Sequence, residues 1–189
     1  MLIEEILKGL VNQRKALEHL FYKFDSSDGS QLKNVVIDAN FFPVLWKPTA
    51  SKILPAGVSW LPFAVWWAMH NFHIFANRDY SLYLIYDRNN LVHRSVITPR
   101  YFRFPFMARE DLQIGDTWTM PEYRGKGLAS FAIQKIVESH KKPGRRFWYV
   151  VEENNSPSIR VIEKMGFLKY GVGTRRKRIG MALFGFFEI

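Results

Sequence analysis

Cysteine is absent from the 189 residues. That removes disulfide scaffolds, cysteine zinc sites and thiol nucleophiles, and it fits a reducing, cytoplasmic setting. Long apolar runs are missing too. The longest, Trp60 to Met69, is broken by Pro62 and falls well short of the ~20 residues that span a bilayer. The opening MLIEEILKGL is acidic and amphipathic rather than basic then apolar, so it does not read as a secretory signal. Metal-ligand spacing is lacking among His70, His73, His93 and His140 apart from the i, i+3 pair His70 and His73, and no Ser-His-Asp arrangement is present. No metal is therefore expected. There is no internal repeat, low-complexity tract or convincing linker, and the chain is expected to form a single domain over 1–189.

What is abundant is apolar and basic. Hydrophobic residues make up 48% and aromatics 16%, enough for a substantial core and against disorder. The net charge of +10 concentrates in Lys141-Lys142-Pro143-Gly144-Arg145-Arg146 and Arg175-Arg176-Lys177-Arg178. Neither cluster carries the interleaved aromatics of a single-strand binding surface. The charges read as solvated loop and hairpin residues or, alternatively, as a site for anionic ligands such as a nucleotide cofactor's phosphates, and no nucleic-acid partner is expected.

Along the chain, Leu2, Ile3, Ile6, Leu7, Leu10, Leu17, Leu20, Phe21 and Phe24 predict an amphipathic helix over 2–24. Val35-Val36-Ile37 is a short strand candidate. Phe41 to Pro62 reads as irregular and a helix is expected from Phe63 to about Phe75. Tyr80–Tyr86 and Leu91–Thr98 alternate as paired strands, with Tyr101–Phe106 prolonging or following the second. Leu112–Met120 is strand-like and closed by Pro121. Next comes the glycine turn Arg124-Gly125-Lys126-Gly127-Leu128-Ala129, and then Leu128, Ala129, Ala132, Ile133, Ile136 and Val137 at helical spacing. Phe147–Val151 reads as a buried strand, making 112–151 a β-α-β unit. A helix follows with Ser156 as N-cap, Pro157 at its first position and Gly166 past its end. Phe167 to about Arg176 and Ile179–Ile189 close the chain as an antiparallel pair.

A glycine turn between a strand and a helix start lets backbone N–H groups approach a phosphate without Cβ interference. Arg124 and Lys126 add charge there, which points to a polyphosphate-bearing ligand.

The order strand, Arg124-x-x-Gly127-x-Ala129, helix, apolar strand, Asn155, helix ending Glu163-Lys164-Met165-Gly166-Phe167, then hairpin, resembles the GCN5-related N-acetyltransferase (GNAT) superfamily over about residues 80–189. Residues 1–79 would be an acceptor-side extension. The resemblance implies an α/β (α+β) fold: a mixed, mostly antiparallel twisted sheet with a central parallel β-α-β unit and flanking helices. It also implies acyl transfer from acetyl-CoA or another acyl-CoA to a small-molecule amine by direct attack, with the pantetheine arm lying between two splayed strands. Backbone groups of Trp118, Thr119 and Met120 would pair with that arm. Amides of Arg124, Gly125, Lys126, Gly127, Leu128 and Ala129 would hold the pyrophosphate, and Asn155, Ser158 and Lys164 would touch other parts of CoA.

An ammonium acceptor, with a pKa of about 10, must lose a proton before it attacks. Asp116 is the leading base, with Glu152 and Glu153 as second choices acting through a water. The position that holds a tyrosine acid in many family members is Ile162 here, leaving Tyr149, Tyr170 or water to protonate the thiolate. Phe41, Phe42, Trp46, Trp60, Phe63, Trp66 and Trp67 line an acceptor pocket or, alternatively, pack the extension onto the sheet or form a homodimer contact. The basic hairpin suits an anionic acceptor such as a nucleotide-linked amino sugar. A protein or peptide acceptor, a non-catalytic acyl-CoA-binding module and a nucleic-acid binder are the competing readings.

Overall fold

The computed structural model describes residues 18–26, 32–49, 51, 54–58, 60–178 and 181–189. Eight strands form one mixed sheet: β1 (Glu18–Asp25), β2 (Phe41–Trp46), β3 (Ser81–Asp87), β4 (Asn90–Pro99), β5 (Leu112–Thr119), β6 (Arg146–Glu152), β7 (Leu168–Arg178) and β8 (Met181–Glu188). Their order across the sheet is β2-β3-β4-β5-β6-β1-β7-β8. Every pairing is antiparallel except β5 with β6. Three α-helices are described: α1 (Trp60–Asn71), α2 (Leu128–His140) and α3 (Ser156–Lys164). The expected β-α-β unit is β5-α2-β6.

Both faces of the sheet are covered, which explains the near-continuous apolar strands. On one face Leu128, Ala132, Ile133, Ile136 and Val137 of α2 and Ile162 and Met165 of α3 pack on Tyr22, Ile114, Tyr149 and Val151. On the other, Phe63 and Met69 of α1, with Tyr101, Phe104 and Met107, pack on Phe21, Val96 and Trp148.

The largest departure from the sequence reading is at residues 18–24, which form a strand in the sheet interior, not the end of a helix. β1 pairs with β6 (His19 opposite Glu152) and with β7 (Glu18 opposite Thr174). Because both sheet faces are buried, Leu20, Phe21, Tyr22 and Phe24 are all buried, and that pattern satisfies helical spacing as readily as a strand. The predicted helix over 2–17 lies outside the described residues.

Other corrections are local. Val35–Ile37 is not a strand: Val36 is 84% exposed, and Val35 donates its N–H to Gln134 Oε1 at 2.7 Å. Phe41–Trp46 forms strand β2 instead of irregular chain, and α1 begins at Trp60 and ends at Asn71. Tyr101–Phe106 makes turns, with Phe104 N–H donating to the Tyr101 carbonyl at 3.0 Å. The cap of α3 is Asn155, whose side chain accepts from Ser158 N–H at 3.2 Å, so Ser156 is already helical.

Two buried polar knots tie the sheet to its loops. Asp111 accepts from Trp148 Nε1 at 2.8 Å, Ala108 N at 2.9 Å and Arg146 N at 3.2 Å. Arg145, fully buried, reaches Asp79 at 2.6 Å, Glu110 at 3.3 Å and the His140 carbonyl at 2.9 Å. Among the described residues, no helix is long and apolar enough to cross a membrane.

Candidate active site

β5 and β6 are neighbours over only three residue pairs, Leu112–Phe147, Gln113–Trp148 and Ile114–Tyr149. Beyond these the two strands continue, to Thr119 and to Glu152, without pairing. The divergence starts at a β-bulge. Opposite β4, Val96 faces Gly115 and Arg94 faces Trp118, so Asp116 and Thr117 together oppose Ser95. Asp116 takes φ 41°, a rare conformation for a residue with a Cβ. Gly115 is required beside it, since a Cβ would lie 2.3 Å from Gln113 Nε2 in a buried amide that Thr98 and the Ile114 carbonyl already fix. A cleft of about 570 Å³ opens where the strands part, walled by Gly115, Asp116 and Thr117 on one side and by Tyr149, Val151 and Glu152 on the other.

The glycine turn stands at the end of β5. Pro121–Tyr123 makes a single 3-10 turn, then Gly125 (φ 78°) and Gly127 (φ 79°) bring the chain to the start of α2. Gly127 caps that helix in a left-handed conformation with no side-chain bond. The N–H groups of the first turn, Leu128 to Ser130, therefore have no intrahelical acceptor and point outward. The helix dipole adds positive potential there. Arg124 and Lys126 are exposed: Arg124 Nε donates to the Thr119 carbonyl at 3.2 Å, and the Lys126 ammonium sits 4.6 Å from the Tyr123 ring centre. Leu128 is buried in the core, so only its backbone is available to a ligand.

The three strand residues expected to face a pantetheine arm are not equivalent. Met120 donates its N–H to the Val92 carbonyl at 2.9 Å and accepts from Tyr123 N–H at 2.9 Å, so both of its backbone groups are used within the protein. Trp118, opposite Arg94, shares Met120's side of the ladder. Alternation then turns the N–H of Thr119 toward the gap. Asn155 and Ser158 line the cleft, Asn155 also capping α3; Lys164 is exposed and is not among the cleft residues.

Of the carboxylates, Asp116 lines the cleft, but both its oxygens are engaged by Arg94, at 3.1 Å from Nε and 3.4 Å from Nη2. Arg94 in turn lies over the Trp118 and Phe63 rings. Glu152 lines the cleft at the end of β6, and the exposed Glu153 is not among the cleft residues. Tyr149 is buried and lines the cleft. Burial pushes its pKa up, outweighing the opposing effect of the Thr117 and Ser158 hydroxyls. Tyr170 sits outside the cleft against Trp148 and Lys23. Ile162 is fully buried among core residues and does not reach the cleft.

Sequence reasoning missed His19. It lies directly opposite Glu152 across β1 and β6, so both side chains project from the same face, and both line the cleft. The helix assigned to 2–24 hid it, and no residue-level signal would have placed it there. Arg103, Tyr101, Phe104 and Phe187 were also unforeseen; they line the cleft as well, the Phe187 ring centre lying 4.9 Å from that of His19. Of the seven aromatics expected to form an acceptor pocket, Trp66 alone among the described side chains lines the cleft. Phe63 is buried beneath it, Phe42 is 67% exposed on β2, and the side chain of Trp60 lies outside the described residues.

A sheet parted beside a glycine-turned helix start is the arrangement that the resemblance implied, and residues 49–167 match the model of the Acetyltransferase (GNAT) family. The chain belongs to this family. The fold of this GNAT protein is similar to that of a putative GNAT acetyltransferase from Novosphingobium aromaticivorans, at 17% identity and TM-score 0.54, over 84% of this chain and 62% of that one. It is also similar to a GCN5-related N-acetyltransferase from Sphaerobacter thermophilus (12%, TM-score 0.56, 88% and 53%) and to a tandem GNAT protein from the clavulanic acid biosynthesis pathway (16%, TM-score 0.56, 84% and 52%). The GNAT chain thus spans between half and two thirds of the length of these structures. No curated protein matches it. The family model begins at residue 49, ahead of the span near 80 from which the motifs were read, so it takes in part of the presumed extension.

Proposed function

We propose that this GNAT protein transfers an acetyl group from acetyl-CoA to the amine of a small molecule by direct attack in a ternary complex. The observation that carries this reading is the three-pair contact between β5 and β6 that opens beside the Gly125–Gly127 turn. The gap accepts an extended arm, and the helix start accepts the phosphates.

The free amine attacks the thioester carbonyl, a C–N bond forms and the C–S bond breaks. The N–H of Thr119 supports the developing oxyanion. The ammonium proton passes to Glu152, with His19 opposite it, and the departing thiolate takes a proton from Tyr149. Glu152 is better disposed as base than Asp116, whose carboxylate Arg94 already holds. Arg103 in the cleft lining, with Arg175 close enough to act on it electrostatically, favours an acceptor carrying a negative group such as the phosphate of an amino-sugar nucleotide. Because β1 and β2 complete the sheet built by the later strands, residues 1–79 and 80–189 would act as one domain.

Acetyl-CoA should raise the melting temperature, and CoA thiol should appear with at least one member of a panel of amines that includes phosphate-bearing amino sugars. Gly127→Glu, which puts a carboxylate where the phosphates would lie and a Cβ where φ is positive, should abolish the thermal shift. An undiminished shift in that variant would remove the basis of the proposal.

A further inference from the structure

His93 in β4 has no part in the steps above, yet it is fully buried with both ring nitrogens bonded. Nδ1 lies 2.8 Å from Thr119 Oγ1 and Nε2 lies 3.1 Å from Ser95 Oγ. Ser95 Oγ is in turn 3.2 Å from Thr117 Oγ1. The imidazole therefore links two residues of β5, Thr119 directly and Thr117 through Ser95. Both belong to the half of β5 that borders the gap.

That half is held from one edge only. β6 pairs with β5 no further than Ile114, and toward β4 the bulge interrupts the ladder between Val96–Gly115 and Arg94–Trp118. Beyond the bulge, the bond from Met120 N–H to the Val92 carbonyl sets the phase of the ladder. Arg94–Trp118 is then a hydrogen-bonded pair and His93–Thr119 a non-hydrogen-bonded one, the kind in which side chains lie closest. Thr119 thus turns its N–H away from β4 into the gap, while its hydroxyl meets His93. Its carbonyl is taken by Arg124 Nε at 3.2 Å.

A neutral imidazole is suited to this place. It carries one N–H and one lone pair on a rigid ring, and a hydroxyl can answer either, so both contacts are satisfied in either tautomer. Burial, with the Arg94 charge adding to it, keeps the ring neutral. Moving Thr119 would strand a buried ring nitrogen, a cost that opposes the movement. We infer that His93 is a positioning residue: bonded to Thr119 and tied through Ser95 to Thr117, it stands in for the missing β6 edge and fixes the Thr119 N–H where the thioester oxygen would lie. The use of that N–H rests on the acetyl-CoA reading; the brace itself does not.

Two substitutions separate the Thr119 hydroxyl from its backbone donor. Thr119→Val removes the hydroxyl, keeps nearly the same shape and leaves the N–H; Thr119→Ser keeps both groups. In the ligand-free protein, nitrogen-15 relaxation should give the Thr119 amide the order parameter of rigid backbone, about 0.85, with Thr119→Val and His93→Phe falling toward about 0.6. Thr119→Ser should stay near wild type. An amide as rigid in Thr119→Val as in wild type overturns the brace whatever the protein binds, and the two Thr119 variants decide this even if His93→Phe does not fold. With acetyl-CoA carrying carbon-13 in its carbonyl, the bound thioester stretch should lie below that of free acetyl-CoA, since a donated hydrogen bond weakens the C=O bond. That shift should diminish in Thr119→Val and persist in Thr119→Ser. Turnover should follow it: kcat about tenfold lower in Thr119→Val, less than the roughly 100-fold or more for outright loss of an oxyanion donor, with acetyl-CoA affinity retained. A loosened amide with unchanged carbonyl stretch and kcat would overturn the positioning role. Failure of acetyl-CoA to bind at all would count against the acetyl-CoA reading, while the relaxation measurement would still decide the brace.

Discussion

Glu152 and Asp116 face the same cleft with different freedom, and that difference is testable residue by residue. Asp116 is fixed by two bonds from Arg94, whereas Glu152 stands opposite His19 with its carboxylate open to the cleft. Glu152→Gln should lower kcat/KM by about 100-fold or more, the usual worth of a positioned base. Asp116→Asn should cost much less in turnover, and by breaking a partly exposed ion pair less than about 1 kcal/mol in stability. CoA release measured in both variants distinguishes them; the reverse ranking would return the base to Asp116. The glycine turn was legible in the sequence because Gly125 and Gly127 serve a backbone conformation, which a side-chain-free residue announces. His19 was not, since its place depends on a strand partner more than a hundred residues away.

Among the elements, β1 carries the clearest lesson. Its apolar residues satisfy a helical repeat, yet they form a strand because β6 and β7 offer edges on both sides and both sheet faces are roofed. Tertiary context decides such short apolar segments, and period alone cannot. By contrast β3 to β6, α2 and the closing hairpin were readable because turns and caps punctuate them within the sequence. Phe21 is the direct test of β1: it is fully buried, in edge contact with Phe106 and Phe187. Phe21→Ala should destabilise the fold by about 3–5 kcal/mol in chemical denaturation. A cost below about 1 kcal/mol would mean the segment does not occupy the sheet interior.

For the whole molecule, histidines rather than carboxylates set the acid limit. Burial lowers the pKa of His70, His93 and His140, that of His93 to about 3 from an ordinary 6.5. Below pH 6.5 the unfolded chain binds protons that the folded state refuses, so stability falls with pH; for His93 the loss continues down to about 3. Asp79 acts later. Burial opposes its ionisation, but Lys142 and Arg145 outweigh that and hold its pKa below the ordinary 3.8, so its contribution is lost only as pH falls through that depressed value. The melting temperature should therefore decline steadily from pH 7 to pH 5 as the unfolded chain takes up these histidine protons. A flat profile over that interval would contradict the burial assigned to these rings.

The position of β1 also has a consequence in time. Its partners begin at Arg146 and end at Thr174, so among the described strands the earliest in sequence waits longest for both neighbours. At about 5–20 residues per second, synthesis of the intervening chain takes roughly 6–30 s. Throughout that interval Leu20, Phe21, Tyr22 and Phe24 exist without the surfaces that bury them. Closure of this sheet around β1 thus waits for the synthesis of β6 and β7 and is timed by translation as well as by folding.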